Sequence, residues 1–251
     1  MILGLERHWH AHCFQEVDDA VKQLTDRLVV FNAHSTDVHG LQPPKGAILY
    51  SLENLSVVPQ WRLREEDHEI WDYNKANLPF YPNGTNVFHV PVGYHPSMER
   101  FERKTVLDID FAFAGGMNER RVQFFNEIRN RGFSVEIIRA WGAERDAILS
   151  RARLVINLHH NTNPGLFESV RVSHLLANKV PVLTEESTYR DEQAWGLYGV
   201  PYNALADLVE NQLKRPQAEL EREANILYER FKQLPMTVPT PRTTGQGEQK
   251  Q

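Results

Sequence analysis

A single cysteine, Cys13, stands in 251 residues, so no intramolecular disulfide can form, and neither a paired-cysteine zinc motif nor a CxxC redox pair can be drawn. No apolar run approaches the roughly 20 residues that span a bilayer. The opening residues, MILGLERHWHAHC, carry charge and histidine where a signal peptide is apolar. These absences point to a cytoplasmic chain without a transmembrane segment. An excess of positive charge is also missing: the net charge is -5, without the electrostatic footprint of a non-specific nucleic-acid binder. No GxGxxG loop is present, which argues against an NAD-dependent oxidoreductase. Asp108 and Asp110 sit at the start of a strand rather than its end, so no DxD pair is placed to hold a metal.

What is present is a chain that can fold. It is 41% hydrophobic and 24% charged, enough to bury a core as one large domain or two small ones. Phe14, Val17, Val21 and Leu24 fall at helical spacing, and RLVVF (27–31) follows as a short buried strand. GAILYSLENL (46–55) reads as a second strand, the stretch from Glu65 to Ala76 as a helix carrying Trp71 and Tyr73, and VFHVPVGYHP (87–96) as a strand running into a loop.

From Asp108 the alternation is clearer. DIDFAFA, SVEIIRA, LVINLHH and VPVLTE read as strands, separated by the helical segments NERRVQFFNEIRNRG, ERDAILSRA and FESVRVSHLLAN. Strands joined by single helices imply parallel pairing with crossover helices. Gly132 closes the first of those helices. Ala204 to Gln233 is helical by pattern, and the remainder, 235–251, rich in proline, threonine and glutamine, reads as a disordered tail.

Three places can carry chemistry. FAFAGGMNERR (111–121) is a strand, a double glycine and a helix start; Gly115 and Gly116 let the backbone approach a phosphate, and the helix beginning near Asn118 offers amides and a positive dipole end. Arg120 and Arg121 in that first turn can pair with a diphosphate; the plain alternative is a tight turn with surface arginines. LVINLHH ends with Asn157, His159 and His160 at the carboxyl edge where open α/β sheets bind ligands; as loop histidines they would do nothing more, and no third ligand falls at a zinc spacing. NPGLFESVRVSHLLANKVPVLTE (163–185) opens a helix with Phe167 and Glu168, and Arg171 lies on the same face as Glu168. Glu168 can accept ribose hydroxyls or simply complement the helix dipole.

In this order the pieces resemble the C-terminal lobe of the retaining, group 1 glycosyltransferases of GT-B fold, best over about residues 107–185. His174 stands where that family has a second glutamate, and Lys179 near where it usually has glycine. HAHCFQEV, YSLEN and HVPVGYHP resemble the N-terminal lobe and interlobe linker of the same branch. The resemblance implies an α/β fold of two Rossmann-like lobes, the first small: 1–95 on the acceptor side and 96–234 binding a nucleotide-sugar. It implies diphosphate contacts from Gly115, Gly116, Arg120 and Arg121, and donor ribose and sugar contacts from Glu168.

His10 or His12, ahead of the first helix, is the candidate acid or base, against a solvated histidine cluster. The expected activity is metal-independent transfer of a sugar from a nucleotide-sugar co-substrate, with no other cofactor, to a hydroxyl on a glycan, lipid, protein or modified nucleobase. The alternative is a non-catalytic module that binds the nucleotide or nucleotide-sugar.

Overall fold

In the computed structural model of the chain, residues 15–31, 43–55, 68–160 and 165–239 are described. Two four-stranded sheets, each entirely parallel, follow one another along the sequence. Helix α1 (Gln15–Leu24) leads into the first sheet, whose strands β1 (Val29–Phe31), β2 (Ile48–Ser51), β3 (Glu69–Asp72) and β4 (Val87–His89) lie side by side in chain order. All of β2 is buried, the pattern of a parallel strand flanked on both sides and covered on both faces.

Of the stretch from Glu65 to Ala76, expected as a helix, the described residues from 68 onward are instead β3 followed by a 3₁₀ turn, Lys75–Phe80. Trp71 and Tyr73 are two apart, a strand spacing rather than a helical one. The Asn74 side chain then accepts from the Ala76 amide, a local bond that starts the turn, and Pro79 lies within it.

The second sheet takes β5 (Ile109–Ala114), β6 (Val135–Ile138), β7 (Ala152–Asn157) and β8 (Val182–Thr184), joined by crossover helices α2 (Glu119–Asn130), α3 (Gly142–Leu149) and α4 (Ser169–Ala177). Their spatial order is β6-β5-β7-β8. The chain steps to one side of β5 and then returns to the other, so the order reverses between β5 and β7. Such a reversal leaves a crevice beyond the carboxyl ends of the two strands, where open α/β sheets take their ligands.

One apolar cluster joins Tyr50 and Trp71 of the first sheet to Val155 of the second and to Phe167, Trp195 and Phe231. On the other face of the second sheet, Phe111 and Phe113 pack with Phe124, Phe125 and Ile128 of α2 and with Leu205 and Val209. The helical C-terminal stretch is two helices, α5 (Tyr202–Leu213) and α6 (Gln217–Lys232), interrupted at Pro216, which lacks the amide a continuous helix needs. No helix among the described residues is long and apolar enough to cross a membrane.

The disordered tail expected from residue 235 does not hold for its first residues. Tyr94 exchanges backbone hydrogen bonds with these residues, which form a strap: its N donates to Leu234 O at 2.7 Å and its O accepts from Met236 N at 2.8 Å, and Met236 is 3% exposed within the main core. The strap lies close against a glycine: a Cβ on Gly93 would come within 2.7 Å of Pro235 and Met236 backbone atoms. Lys179, where glycine was the expected residue, has φ +54; the position calls for glycine on backbone grounds, and the lysine ammonium stands over the Tyr228 ring at 4.6 Å.

Candidate functional site at the strand-order reversal

Asn157 ends β7 with no exposed surface. Its amide donates to Thr184 Oγ1 at 3.0 Å, and its Oδ1 accepts from Arg171 Nη1 at 2.7 Å. Arg171, one helical turn into α4, also donates through Nε to the Ala114 carbonyl at the end of β5, at 2.9 Å. One guanidinium therefore ties together the two strands between which the order reverses. Its remaining terminal nitrogen, Nη2, lies 3.1 Å from where a Cβ on Gly115 would stand, and the Phe113 ring lies 2.8 Å from the same point. Gly115 is required for lack of room. Gly116 is a different case: it is not among the positive-φ residues, and a Cβ there would meet nothing within 4 Å. It fronts open space at the crevice.

The two arginines expected to clamp a diphosphate are both engaged by groups of the protein. Arg121 is 2% exposed and donates to the carbonyls of Gly116 and Leu158, bracing the glycine loop against the end of β7 with its guanidinium over the Phe113 ring. Burial, with the Arg171 charge beside it, pulls its guanidinium down to about 9. The signal was in the sequence: Arg121, Phe124, Phe125 and Ile128 share the buried stripe of α2, the i, i+3, i+4, i+7 spacing of an inward face. Arg120, one residue earlier, pairs with Glu185, donates to the His159 carbonyl at 2.9 Å and stacks 3.8 Å over the Tyr202 ring. Asn118 caps α2, accepting from the Arg121 amide at 3.0 Å, while its Nδ2 donates to the His160 carbonyl at 2.6 Å. It holds the loop and is engaged at both ends of its side chain.

His159 is buried against Gly165, where a Cβ would come within 2.9 Å of the ring. Its amide donates to Glu185 at 2.9 Å, its Nε2 lies 3.2 Å from the Glu186 carbonyl, and its Nδ1 has no hydrogen-bond partner among the described residues. Phe167, expected to touch substrate, is a core residue: it is 2% exposed and meets Trp195 edge-on at 5.2 Å between centroids. Glu168 occupies the N-cap position of α4 without a side-chain capping bond, half-buried. The Ser169 hydroxyl beside it is buried and has no hydrogen-bond partner among the described residues. His10 and His12 lie outside the described residues.

The first sheet brings residues to the same region that the sequence reading did not single out. Asp72, at the end of β3, accepts from Asn77 at 3.0 and 3.1 Å, from the Tyr81 hydroxyl at 2.7 Å and from the Asn74 amide at 2.8 Å. Burial pushes its carboxyl up, those bonds offset part of the rise, and it stands at about 6. Asn77 in turn donates to the Glu53 carbonyl at 2.8 Å and accepts from the Leu55 amide at 3.1 Å, fixing the turn that follows β2. Burial first, and then the negative charge of Glu168, push the Glu53 carboxyl up to about 7. The buried Tyr73 hydroxyl feels the charges of Glu168, Asp72, Glu53 and Asp191 together, and Asn74 reaches Asp191 at 3.5 Å. The carboxyl edges of the two sheets thus come together at Asn74 and Asp191, where the charge of Glu168 also acts on Glu53. An acidic residue just past the carboxyl end of a buried strand, in the YSLEN segment, is the signal that marks Glu53 in the sequence.

No protein-family profile matches the chain. Among curated proteins it is 27% identical over 173 residues to an uncharacterized protein of Acanthamoeba polyphaga mimivirus, covering 64% of this chain and 57% of that protein. A second uncharacterized protein of the same virus is 26% identical over 152 residues, 57% of this chain but 17% of that protein. The chain spans little more than half the length of the first relative and a small part of the second. Among solved structures it is similar to a variant of S. aureus TarM, in complex with Fondaparinux, alpha-GlcNAc-glycerol and UDP, with a TM-score of 0.54 at 10% identity over 87% of this chain and 55% of that one. It is also similar to AviGT4, a glycosyltransferase involved in Avilamycin A biosynthesis, with a TM-score of 0.50 at 14% identity over 88% and 86% of the two chains. At such identities the likeness is one of fold: two parallel α/β lobes in the arrangement these structures share.

Proposed function

We propose that the chain is a glycosyltransferase that moves a sugar from a nucleotide-sugar to a hydroxyl acceptor, with the donor diphosphate in the crevice at the strand-order reversal. The observation that carries this reading is Arg171, which bridges Ala114 and Asn157 and presents Nη2 beside Gly115. The UDP bound to TarM and the glycosyltransferase activity named for AviGT4, both of similar fold, support it.

In this arrangement the open backbone at Gly116, the first-turn amides of α4, the Ser169 hydroxyl and the Arg171 guanidinium receive the phosphates, as a helix N-terminus beside a fixed cation favours an anion. Arg120 and Arg121 act one step back, holding the loop and the end of β7. Glu168, at the head of α4, takes hydroxyls of the donor ribose or sugar. When the bond from the sugar to the diphosphate breaks, negative charge grows on the leaving oxygen, and Arg171 with the helix amides stabilises it in place. No metal ion is needed in this scheme.

The test is a thermal-shift and calorimetric screen of the whole chain against UDP, GDP, ADP and their sugars, followed by release of nucleoside diphosphate with EDTA present. A ligand that binds only the folded state raises its stability by mass action. Stabilisation by one diphosphate and EDTA-resistant turnover of its sugar are expected. Binding without turnover would leave a nucleotide-binding module, and binding of none would remove the donor site.

A further inference from the structure

Glu53 and Glu168 come from different lobes, one following β2 and the other heading α4, yet Asn74, bonded to the Asp72 that braces the Glu53 turn, reaches Asp191 of the second lobe at 3.5 Å, and the charge of Glu168 acts on the Glu53 carboxyl. Like charges do not gather in a half-buried place without a scaffold, and here one exists. The Asp72 carboxylate fixes the Asn77 side chain, and Asn77 holds the Glu53 turn from both sides, donating to the Glu53 carbonyl and accepting from the Leu55 amide. Tyr81 and the Asn74 amide occupy the rest of Asp72. This is a chain of buried polar contacts whose last member is the main chain of Glu53. A turn that merely linked two elements would not need a buried carboxylate to brace it.

We propose that Glu53 is the catalytic base on the acceptor side, held by the Asp72–Asn77 scaffold opposite Glu168 to take the proton from the acceptor hydroxyl. The inference rests on the glycosyl-transfer reading and adds to it the residue that activates the acceptor. In the step, the acceptor O–H bond breaks and its proton passes to the Glu53 carboxylate. The acceptor oxygen bonds to the anomeric carbon as the bond from that carbon to the diphosphate oxygen breaks, and the leaving diphosphate keeps the electron pair. Glu53 then returns the proton to solvent.

The environment suits a base that works near neutrality. Burial and Glu168 set the carboxyl at about 7, close to the operating pH at which a general base combines availability with driving force. Among the described residues, the other titratable groups at this edge are Tyr73 and Asp72 at the end of β3, Asp191 from the second lobe, and His89 at the end of β4. His89 is held below its ordinary value by burial and then by Lys75, and Glu168 is the charge that adds to burial in raising the Glu53 carboxyl. The sequence expectation placed the acid or base at His10, and the test separates the two.

The experiment uses the full chain and the variants Glu53→Gln, Glu168→Gln and His10→Gln. Release of nucleoside diphosphate from UDP-glucose, UDP-N-acetylglucosamine and GDP-mannose is followed between pH 5 and 9, with water as acceptor, and diphosphate affinity is measured alongside. For wild type the rate should rise with pH through about 7, because the base must lose its proton. Glu53→Gln should lower the rate at pH 7.5 by about 100-fold or more, the low end of what a positioned base contributes, and abolish the pH limb while leaving diphosphate affinity within about twofold. Carbon-13 carboxyl titration should show Glu53 ionising near neutrality in wild type and at lower pH in Glu168→Gln, where the repelling charge is gone.

An ordinary glutamate titration for Glu53, or an unchanged pH profile in Glu53→Gln, overturns the proposal. Loss of the limb in His10→Gln instead of Glu53→Gln gives the role to the histidine. Absence of diphosphate binding in wild type overturns the underlying donor-site reading, and the proposal with it. A folding defect has its own signature. A carboxyl whose folded value is raised stabilises the fold fully below its unfolded value near 4.3, and that contribution is lost as pH rises through the folded value of about 7. Glu53→Gln should therefore melt with wild type at pH 4 and above it at pH 8, whereas a variant that merely misfolds melts lower at both.

Discussion

Arg171 Nη1 donates to Asn157 Oδ1 at 2.7 Å, across the gap between the end of β7 and the first turns of α4. The same guanidinium reaches the Ala114 carbonyl of β5, and only a planar fork with several donors serves both and still presents a nitrogen to the crevice. Arg171→Lys keeps the charge and loses the fork. Calorimetric titration should show nucleoside diphosphate affinity falling about tenfold or more, which is about 1.4 kcal/mol. Denaturant unfolding should show a stability loss of about 1 kcal/mol from the lost hydrogen bonds. Wild-type affinity in the lysine variant would mean that the fork does not present a phosphate contact.

Gly115 and Gly116 are adjacent but should respond differently to alanine. At Gly115 the new Cβ meets the Phe113 ring and the Arg171 guanidinium, so Gly115→Ala should lower stability by about 1–3 kcal/mol as the loop shifts. At Gly116 nothing stands within 4 Å, so Gly116→Ala should melt as wild type does and lose affinity only for a ligand in the crevice. A pair of melting curves and a pair of titrations decide this, and equal destabilisation by both would contradict the arrangement.

The arginine pair offers a similar contrast. Arg121 braces the buried Leu158 carbonyl and the more exposed Gly116 carbonyl, and Arg121→Met leaves the first without its donor at a cost of about 1–3 kcal/mol where no water replaces it, with a smaller loss at the second. Arg120 is partly exposed and stacked on Tyr202, so Arg120→Gln should cost less, about 1–2 kcal/mol, much of it from Glu185 left near the His159 amide without its cation. Unfolding free energies that ranked the two the other way would show that Arg121 is not the brace of the loop.

Met236→Ala tests the strap that runs past Gly93. A methionine at 3% exposure cut to alanine costs about 2–5 kcal/mol, and in a chain of this size each kcal/mol lowers Tm by about 2–4 °C. Truncation after Leu234 should lose at least as much, because it also removes the Met236 amide that Tyr94 accepts from. A truncated chain that melted like wild type would restore the expectation of a dispensable tail from residue 235.

The sequence by itself determined the alternation of strands and helices from Ile109 to Thr184, because an apolar strand run, a 3.6-residue helical stripe and a closing glycine such as Gly132, with φ +91, are local properties. It also placed Asn157 and the glycine loop at strand ends. What only the tertiary structure decided is which of those residues meet. The β6-β5-β7-β8 order pairs β5 with β7, some forty residues later in the chain, and local periodicity carries no term for a partner that distant. The phase of α2 turned Arg121 into the core, and Arg171 of α4 is the guanidinium that joins the ends of β5 and β7, against the adjacency of the Arg-Arg pair. Glu168 acts on Glu53 from the other lobe, and the two lobes share one apolar core. Burial and then that charge raise the Glu53 carboxyl, and neither exists until the chain has folded.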